Sequence, residues 1–257
     1  TKNMAYIFKG DSFIVLGPES PANGNGPTQV YGGVQKIAAR FPGIPFETFD
    51  AILIMPQAVC PAYAKNMAYI FSGDLYVKWD LANDKFCSGP KNIAANFAGL
   101  GLTKIDAVYC THNGNAKDFT KGMAYFFHGK QYSKWDCKNM KAVSTDVYPR
   151  STRDHWPGIS VDSIDAVLMF EAEVNSSGAG KTNWYKDQAY MFSGDKYIKW
   201  NTKDFSKSAA PRTIKDGWPL LNQLMADGAD VQAAVAKQMP AAGVLKHDGA
   251  VDCALVW

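Results

Sequence analysis

The sequence predicts an all-β protein, a four-bladed β-propeller whose ring is closed by the C-terminal strand pairing in the first blade. Three observations carry that prediction. One eight-residue segment recurs four times along the 257 residues. Each copy passes through a glycine turn into a second alternating strand, and the chain ends on a strand type that its first repeat lacks. Self-similarity at a long, nearly constant period is the signature of arrays and propellers, in which each repeat is one supersecondary unit.

The recurring segment runs Met4-Ala5-Tyr6-Ile7-Phe8-Lys9-Gly10-Asp11, then Met67-Ala68-Tyr69-Ile70-Phe71-Ser72-Gly73-Asp74. The third copy is Met123-Ala124-Tyr125-Phe126-Phe127-His128-Gly129-Lys130, and the fourth is Gln188-Ala189-Tyr190-Met191-Phe192-Ser193-Gly194-Asp195. Large apolar residues alternate up to Gly-Asp or Gly-Lys, and alternation then resumes, which is the pattern of a β-hairpin. The return strands of the last three copies end Lys78-Trp79-Asp80, Lys134-Trp135-Asp136 and Lys199-Trp200-Asn201, whereas the first, Phe13-Ile14-Val15-Leu16, lacks that ending.

Farther on, each unit carries a short helical segment closing on an aromatic: Ile37 to Gly43, Ile93 to Gly99, Thr152 to Gly158 and Ile214 to Leu220. The spacing of Val34, Ile37, Ala38 and Phe41 suits a helix with one side turned inward, stopped by Pro42-Gly43. Next comes a strand led by aspartate, at Asp50-Ala51, Asp106-Ala107 and Asp165-Ala166. The fourth such strand is the chain's last segment, Asp252 to Trp257, and the first repeat has none before it. The expected blades are therefore 1–49 with 250–257, 50–105, 106–164, and 165–249 with a helical insert at 222–246. Closing the ring in this way covers the apolar blade faces that an open end would leave in water.

Composition excludes several classes. Nearly half the residues are hydrophobic, and the formal charge is +3, with 27 basic residues scattered among 24 acids. That leaves no broad footprint for nucleic acid, and no apolar run is long enough to form a membrane span. The N-terminus lacks the charged and apolar regions of a signal peptide, and Thr1 suits a product that has lost its initiator Met. A cytoplasmic or storage location is the expectation, with secretion after processing as the alternative. The five cysteines form no metal-ligand spacing and read as free thiols. No Gly-x-Ser-x-Gly elbow, His-Glu-x-x-His or phosphate-binding glycine loop is present, and Glu171 and Glu173 read as a solvated strand end. The expectation is a binding protein and not an enzyme.

These units resemble the hemopexin repeat family: an Asp-Ala strand, Ala-Tyr-x-Phe-x-Gly-Asp, Tyr-x-x-Trp-Asp, and a short helix with Phe-Pro-Gly. The resemblance covers nearly the whole chain and is to the free-standing propellers of legume seed albumin-2. It implies a channel along the ring axis in which backbone carbonyls coordinate calcium or sodium. Carried onto this sequence, one carbonyl ring would be Asp50, Asp106, Asp165 and Asp252, and a second would be Ala5, Ala68, Ala124 and Ala189. Rings of oxygen dipoles suit such hard cations. The alternative for the aspartates is structural, since Asp at a strand start bonds nearby backbone amides.

The family also implies heme or polyamine as ligand. Heme would need an accessible axial histidine in an apolar pocket, for which His112 and His128 are the candidates, with His155 and His247 read as surface residues. The recurring Trp79, Trp135 and Trp200 read as packing between blades. The alternative is a carbohydrate-binding hemagglutinin, its sugars stacked on those rings and hydrogen-bonded by Asp80, Asp136 and Asn201. Either way the partner is a small ligand, an ion or a glycan, and the protein is a monomer or a homodimer.

Overall fold

The computed structural model describes residues 5–16, 30–110, 120–170, 188–207, 209–218 and 253–256. The alternation noted in the sequence folds into four antiparallel sheets. In the first, β1 (Ala5–Lys9), β2 (Ser12–Leu16) and β3 (Val30–Lys36) lie in order, and β18 (Cys253–Val256) occupies the remaining edge beside β1. The pairing sets Ala5 opposite Val256 and Phe8 opposite Cys253. The second sheet is β4 (Ala51–Ile54), β5 (Met67–Ser72), β6 (Leu75–Asp80) and β7 (Lys85–Asn92).

The third sheet holds β8 (Ala107–Cys110), β9 (Met123–His128) and β10 (Gln131–Asp136), with the outer strand split into β11 (Lys141–Ala142) and β12 (Arg150–Ser151). The fourth repeats that plan with β13 (Ala166–Phe170), β14 (Gln188–Ser193), β15 (Lys196–Asn201), β16 (Ser206–Lys207) and β17 (Arg212–Thr213). The strands led by the aspartates, β4, β8 and β13, neighbour one another and β18 in a cycle, so these four surround the axis. The architecture is an all-β four-bladed propeller.

The helical segments are single turns, shorter than the sequence spacing suggests: α1 (Ile37–Arg40), α2 (Ile93–Asn96), α3 (Thr152–His155) and α4 (Ile214–Gly217). Val34 belongs to β3 and Ala38 is exposed, so only Ile37 and the capping Phe41 turn inward. Asn92, Ser151 and Thr213 cap the other three by accepting from the amide three residues on, which satisfies a donor the helix leaves unpaired. The first three turns each deliver an aromatic into a seam between blades, and the fourth packs Trp218 on Tyr190, Phe192 and Tyr197 of its own blade. Phe41 meets Trp79 at 5.3 Å, Phe97 meets Trp135 at 4.9 Å and Trp156 meets Trp200 at 5.0 Å. Such edge-on and tilted ring pairs add to the area they bury.

The helical insert expected at 222–246 lies outside the described residues.

Candidate functional site: the inner strands and the blade edges

The three described aspartates at the head of the inner strands share two backbone contacts. The Asp50, Asp106 and Asp165 amides donate to the carbonyls of Phe71, Phe127 and Phe192 at 2.8 to 2.9 Å. Their carboxylates accept from the amides of the turn glycines Gly73, Gly129 and Gly194, each at 2.7 Å. Each glycine has a positive φ, between 53° and 59°, the left-handed region that L side chains avoid. The side chain therefore ties the start of the inner strand to the hairpin turn of the same blade. This matches the structural alternative weighed for those side chains, and it leaves the ion question to backbone oxygens. Asp252 lies outside the described residues.

The second carbonyl ring requires correction. Ala5, Ala68, Ala124 and Ala189 lie in the second strand of each blade, between the inner strand and the third. In an antiparallel pair, a residue directs both its N–H and its C=O to one neighbour, and successive residues alternate. The Met55 amide donates to the Met67 carbonyl and the Leu81 amide to the Asn66 carbonyl. This phase turns Tyr69 toward β4 and Ala68 toward Trp79 of β6. The Cys137 amide on the Gly122 carbonyl sets the same phase in the third blade, so Ala124 bonds toward Trp135. The alanine carbonyls thus point away from the axis. In the same alternation the inner-strand residues whose peptide groups face the axis are Ile52, Val108, Val167 and Ala254, from the registers of β4, β8, β13 and β18.

The sugar sites placed on the tryptophans are also corrected. Trp79, Trp135 and Trp200 are 0%, 3% and 0% exposed, so no ring face is open to a pyranose. Asp80, Asp136 and Asn201 accept from the amides two and three residues on, closing tight turns. Hydrogen bonding, led by Asn83, holds the Asp80 carboxyl below the usual carboxylate range. In the third blade burial works against the same effect at Asp136, where bonds from Asn139 prevail and the net direction is again downward.

His128 places Nδ1 3.1 Å from the Asp106 carboxylate, with its side chain 39% exposed. That is an open, polar setting, unlike the apolar cleft an axial heme ligand needs. His155 bonds the Ser151 carbonyl through Nδ1. His112, His247, Glu171 and Glu173 lie outside the described residues. Among the described residues no group of three or more His, Cys, Asp or Glu side chains is placed to hold a metal, and Cys60, Cys87, Cys110 and Cys137 are free thiols. No helix among them is long and apolar enough to cross a membrane.

A feature that sequence reasoning missed recurs on three blades. Lys78, Lys134 and Lys199 stand over the rings of Tyr69, Tyr125 and Tyr190 at 5.0, 5.4 and 5.5 Å. Burial pulls the pKa of all three lysines below the usual lysine range. The signal was present in the repeated Tyr-x-Lys-Trp of the return strands.

No family model matches the chain. Over 121 residues it is 29% identical to matrix metalloproteinase-21 of Xenopus laevis, a match that takes in 45% of this chain and 19% of that protein. Among solved structures it is similar to a hemopexin-fold protein, CP4, from cow pea: 24% identity, 88% of this chain and 95% of that one, TM-score 0.63. It is equally similar in shape to a plant lectin with two metal-binding sites from Cicer arietinum: 22% identity, 88% and 95% coverage, TM-score 0.63. With its repeats, its four sheets and these neighbours, the chain is a four-bladed propeller of the hemopexin fold, resembling the legume seed albumins.

Proposed function

We propose that this chain is a non-enzymatic binding protein whose central channel holds a hard cation, calcium or sodium, on backbone carbonyls. The observation that carries the proposal is the phase of the inner strands, which turns the peptide groups of Ile52, Val108, Val167 and Ala254 toward one axis. Four such strands surround that axis. Oxygen dipoles converging from four sides are the chemistry a hard cation selects. The metal-binding lectin of the same shape supports the reading. Spermine, a chain of ammonium groups, would be recognised by the same carbonyls and would compete with the metal. Heme draws no support from His128.

The test is calorimetry on chain stripped with a chelator. Calcium should bind with a stoichiometry near one per propeller and raise the melting temperature with concentration, as any ligand of the folded state does. Neither heat nor a melting shift with calcium, sodium or spermine would refute it. A second reading, a glycan-binding lectin, is favoured by the same neighbour. Its sites cannot be the buried tryptophans, and red-cell agglutination inhibited by a free sugar is its assay.

A further inference from the structure

The lysines that stand over tyrosines do not stand alone. In each of the last three blades two tyrosines form a floor: Tyr69 with Tyr76, Tyr125 with Tyr132, and Tyr190 with Tyr197, at 5.7, 6.1 and 5.9 Å. The first ring of each pair is the cross-strand partner of the lysine, Tyr69 opposite Lys78, Tyr125 opposite Lys134 and Tyr190 opposite Lys199. The second ring is the cross-strand partner of another cation: Tyr76 faces Lys91, Tyr132 faces Arg150 and Tyr197 faces Arg212. Directly opposed residues share a face of the sheet, and Tyr76 and Lys78, two apart on one strand, share it too. In blades two and four the sheet edge therefore brings two cations together above a tyrosine floor, whereas in blade three Arg150 lies over Tyr148 and donates to the Val147 carbonyl.

Two observations point outward to a ligand. Among the described residues, Lys78, Lys91, Lys199 and Arg212 have no carboxylate partner, although like charges side by side repel. Lys91 and Arg212 add to burial in pulling down Lys78 and Lys199, with the Cys87 thiol acting weakly the other way on Lys78, and the Asp216 carboxylate beside Tyr197 accepts from Thr213 Oγ1 at 2.6 Å. The first blade has neither cation. Val15 stands opposite Tyr6, and Gln35 opposite Phe13. The pairs are thus not a requirement of blade packing, since one blade packs without them.

We propose that the edges of blades two and four form a bivalent site for a sulfated glycan, one sulfate or carboxylate group seated on each basic pair. Tyr69, Tyr76, Tyr190 and Tyr197 are 2 to 4% exposed, so the contact is made by the cation heads, with the lysine stems lying over the rings. A phosphodiester chain calls for a continuous basic stripe. Discrete pairs, one on each of two blades, instead match charged groups spaced along a carbohydrate, and binding at both blades at once multiplies the affinity of each. The site is separate from the axial cation, so binding should persist in chelator whatever the channel holds.

The experiment uses the full chain on a surface carrying a size-defined sulfated heparin octasaccharide, with the same oligosaccharide desulfated as the control. The expected result is binding to the sulfated form alone, weakened by salt. In the variant Lys78→Gln, Lys91→Gln, Lys199→Gln, Arg212→Gln, binding should fall by about tenfold or more, the scale of losing several charge pairs. Lys91→Gln with Arg212→Gln, which leaves the lysine–tyrosine contacts intact, should give part of that loss and guards against a misfolded quadruple variant. Replacing the exposed Lys104 and Lys203 with Gln should leave binding unchanged. Equal binding of the desulfated sugar, an equal loss from the Lys104 and Lys203 changes, or equal affinity for inorganic polyphosphate would overturn the assignment.

Discussion

Replacing Asp165 with alanine separates the two roles available to the aspartate ring. In the structure Asp165 Oδ2 accepts from the Gly194 amide at 2.7 Å, and Oδ1 accepts from the Ser163 hydroxyl at 2.9 Å. The alanine variant removes both. The serine hydroxyl turns to water at little cost, while the glycine amide loses a charged acceptor that held the turn, so the expected destabilisation is about 2 kcal/mol. Asp165→Asn keeps a neutral acceptor and should cost about 1 kcal/mol. Urea unfolding at fixed calcium measures both values, and a calcium titration on the same samples measures affinity. Stability should drop in the order wild type, Asn, Ala, while calcium affinity stays within about twofold, since the proposed ligands are main-chain oxygens. An affinity that collapses in both variants while stability holds would instead place the carboxylate on the ion.

Asp84 supplies a second contrast. It accepts from the buried Trp79 Nε1 at 3.2 Å and from Arg40 at 3.1 Å, so Asp84→Ala should cost about 1–3 kcal/mol by orphaning the indole donor, and Asp84→Asn distinctly less, as read by urea unfolding. Gly217 lies against Tyr197, whose ring and hydroxyl a Cβ would strike, so Gly217→Ala should destabilise by about 1–3 kcal/mol and lower the thermal midpoint. Burial pushes the Tyr132 hydroxyl up to about 12, and Tyr69 and Tyr125 upward as well. Between pH 10 and 12 the unfolded chain releases tyrosine protons that the folded chain keeps, so stability falls as pH rises through that window. The half-buried lysines, lowered from 10.5, act in the opposite direction. Tyr132→Phe should therefore flatten the fall measured by unfolding at stepped pH, and an unchanged slope would count against the assignment.

The fold was legible because alternation, turn glycines and repetition all agreed. Met67 to Gly73 reads as a strand entering a turn in any context, and three similar copies remove the ambiguity of a single short apolar run. The orientation of the peptide groups was not legible. Side-chain alternation tells which face of a sheet a residue takes, and it does not tell which neighbouring strand its carbonyl meets. That depends on the phase set by Met55 on Met67 and Leu81 on Asn66, and it moved the second carbonyl ring from the alanines to the residues around Ile52. The tryptophans were ambiguous for another reason. Repetition at equivalent positions is equally consistent with repeated packing and with repeated pockets, and only Phe41, Phe97 and Trp156 arriving from the helical turns decide for packing.

The basic pairs were half legible. The lysines recur at one position in the return strand, but the partners Lys91 and Arg212 follow loops of unequal length and become equivalent only through strand register. Blade one differs at both positions, which the divergent Val15-Leu16 ending already marked in the sequence.

The axial cation is tested most directly by anomalous diffraction from crystals of the full chain grown in calcium. A single strong peak is expected on the propeller axis within about 2.3–2.6 Å of main-chain carbonyl oxygens from all four inner strands, with Ile52, Val108, Val167 and Ala254 among them. An axis without a peak, or calcium held by carboxylates away from it, would exclude the axial carbonyl site.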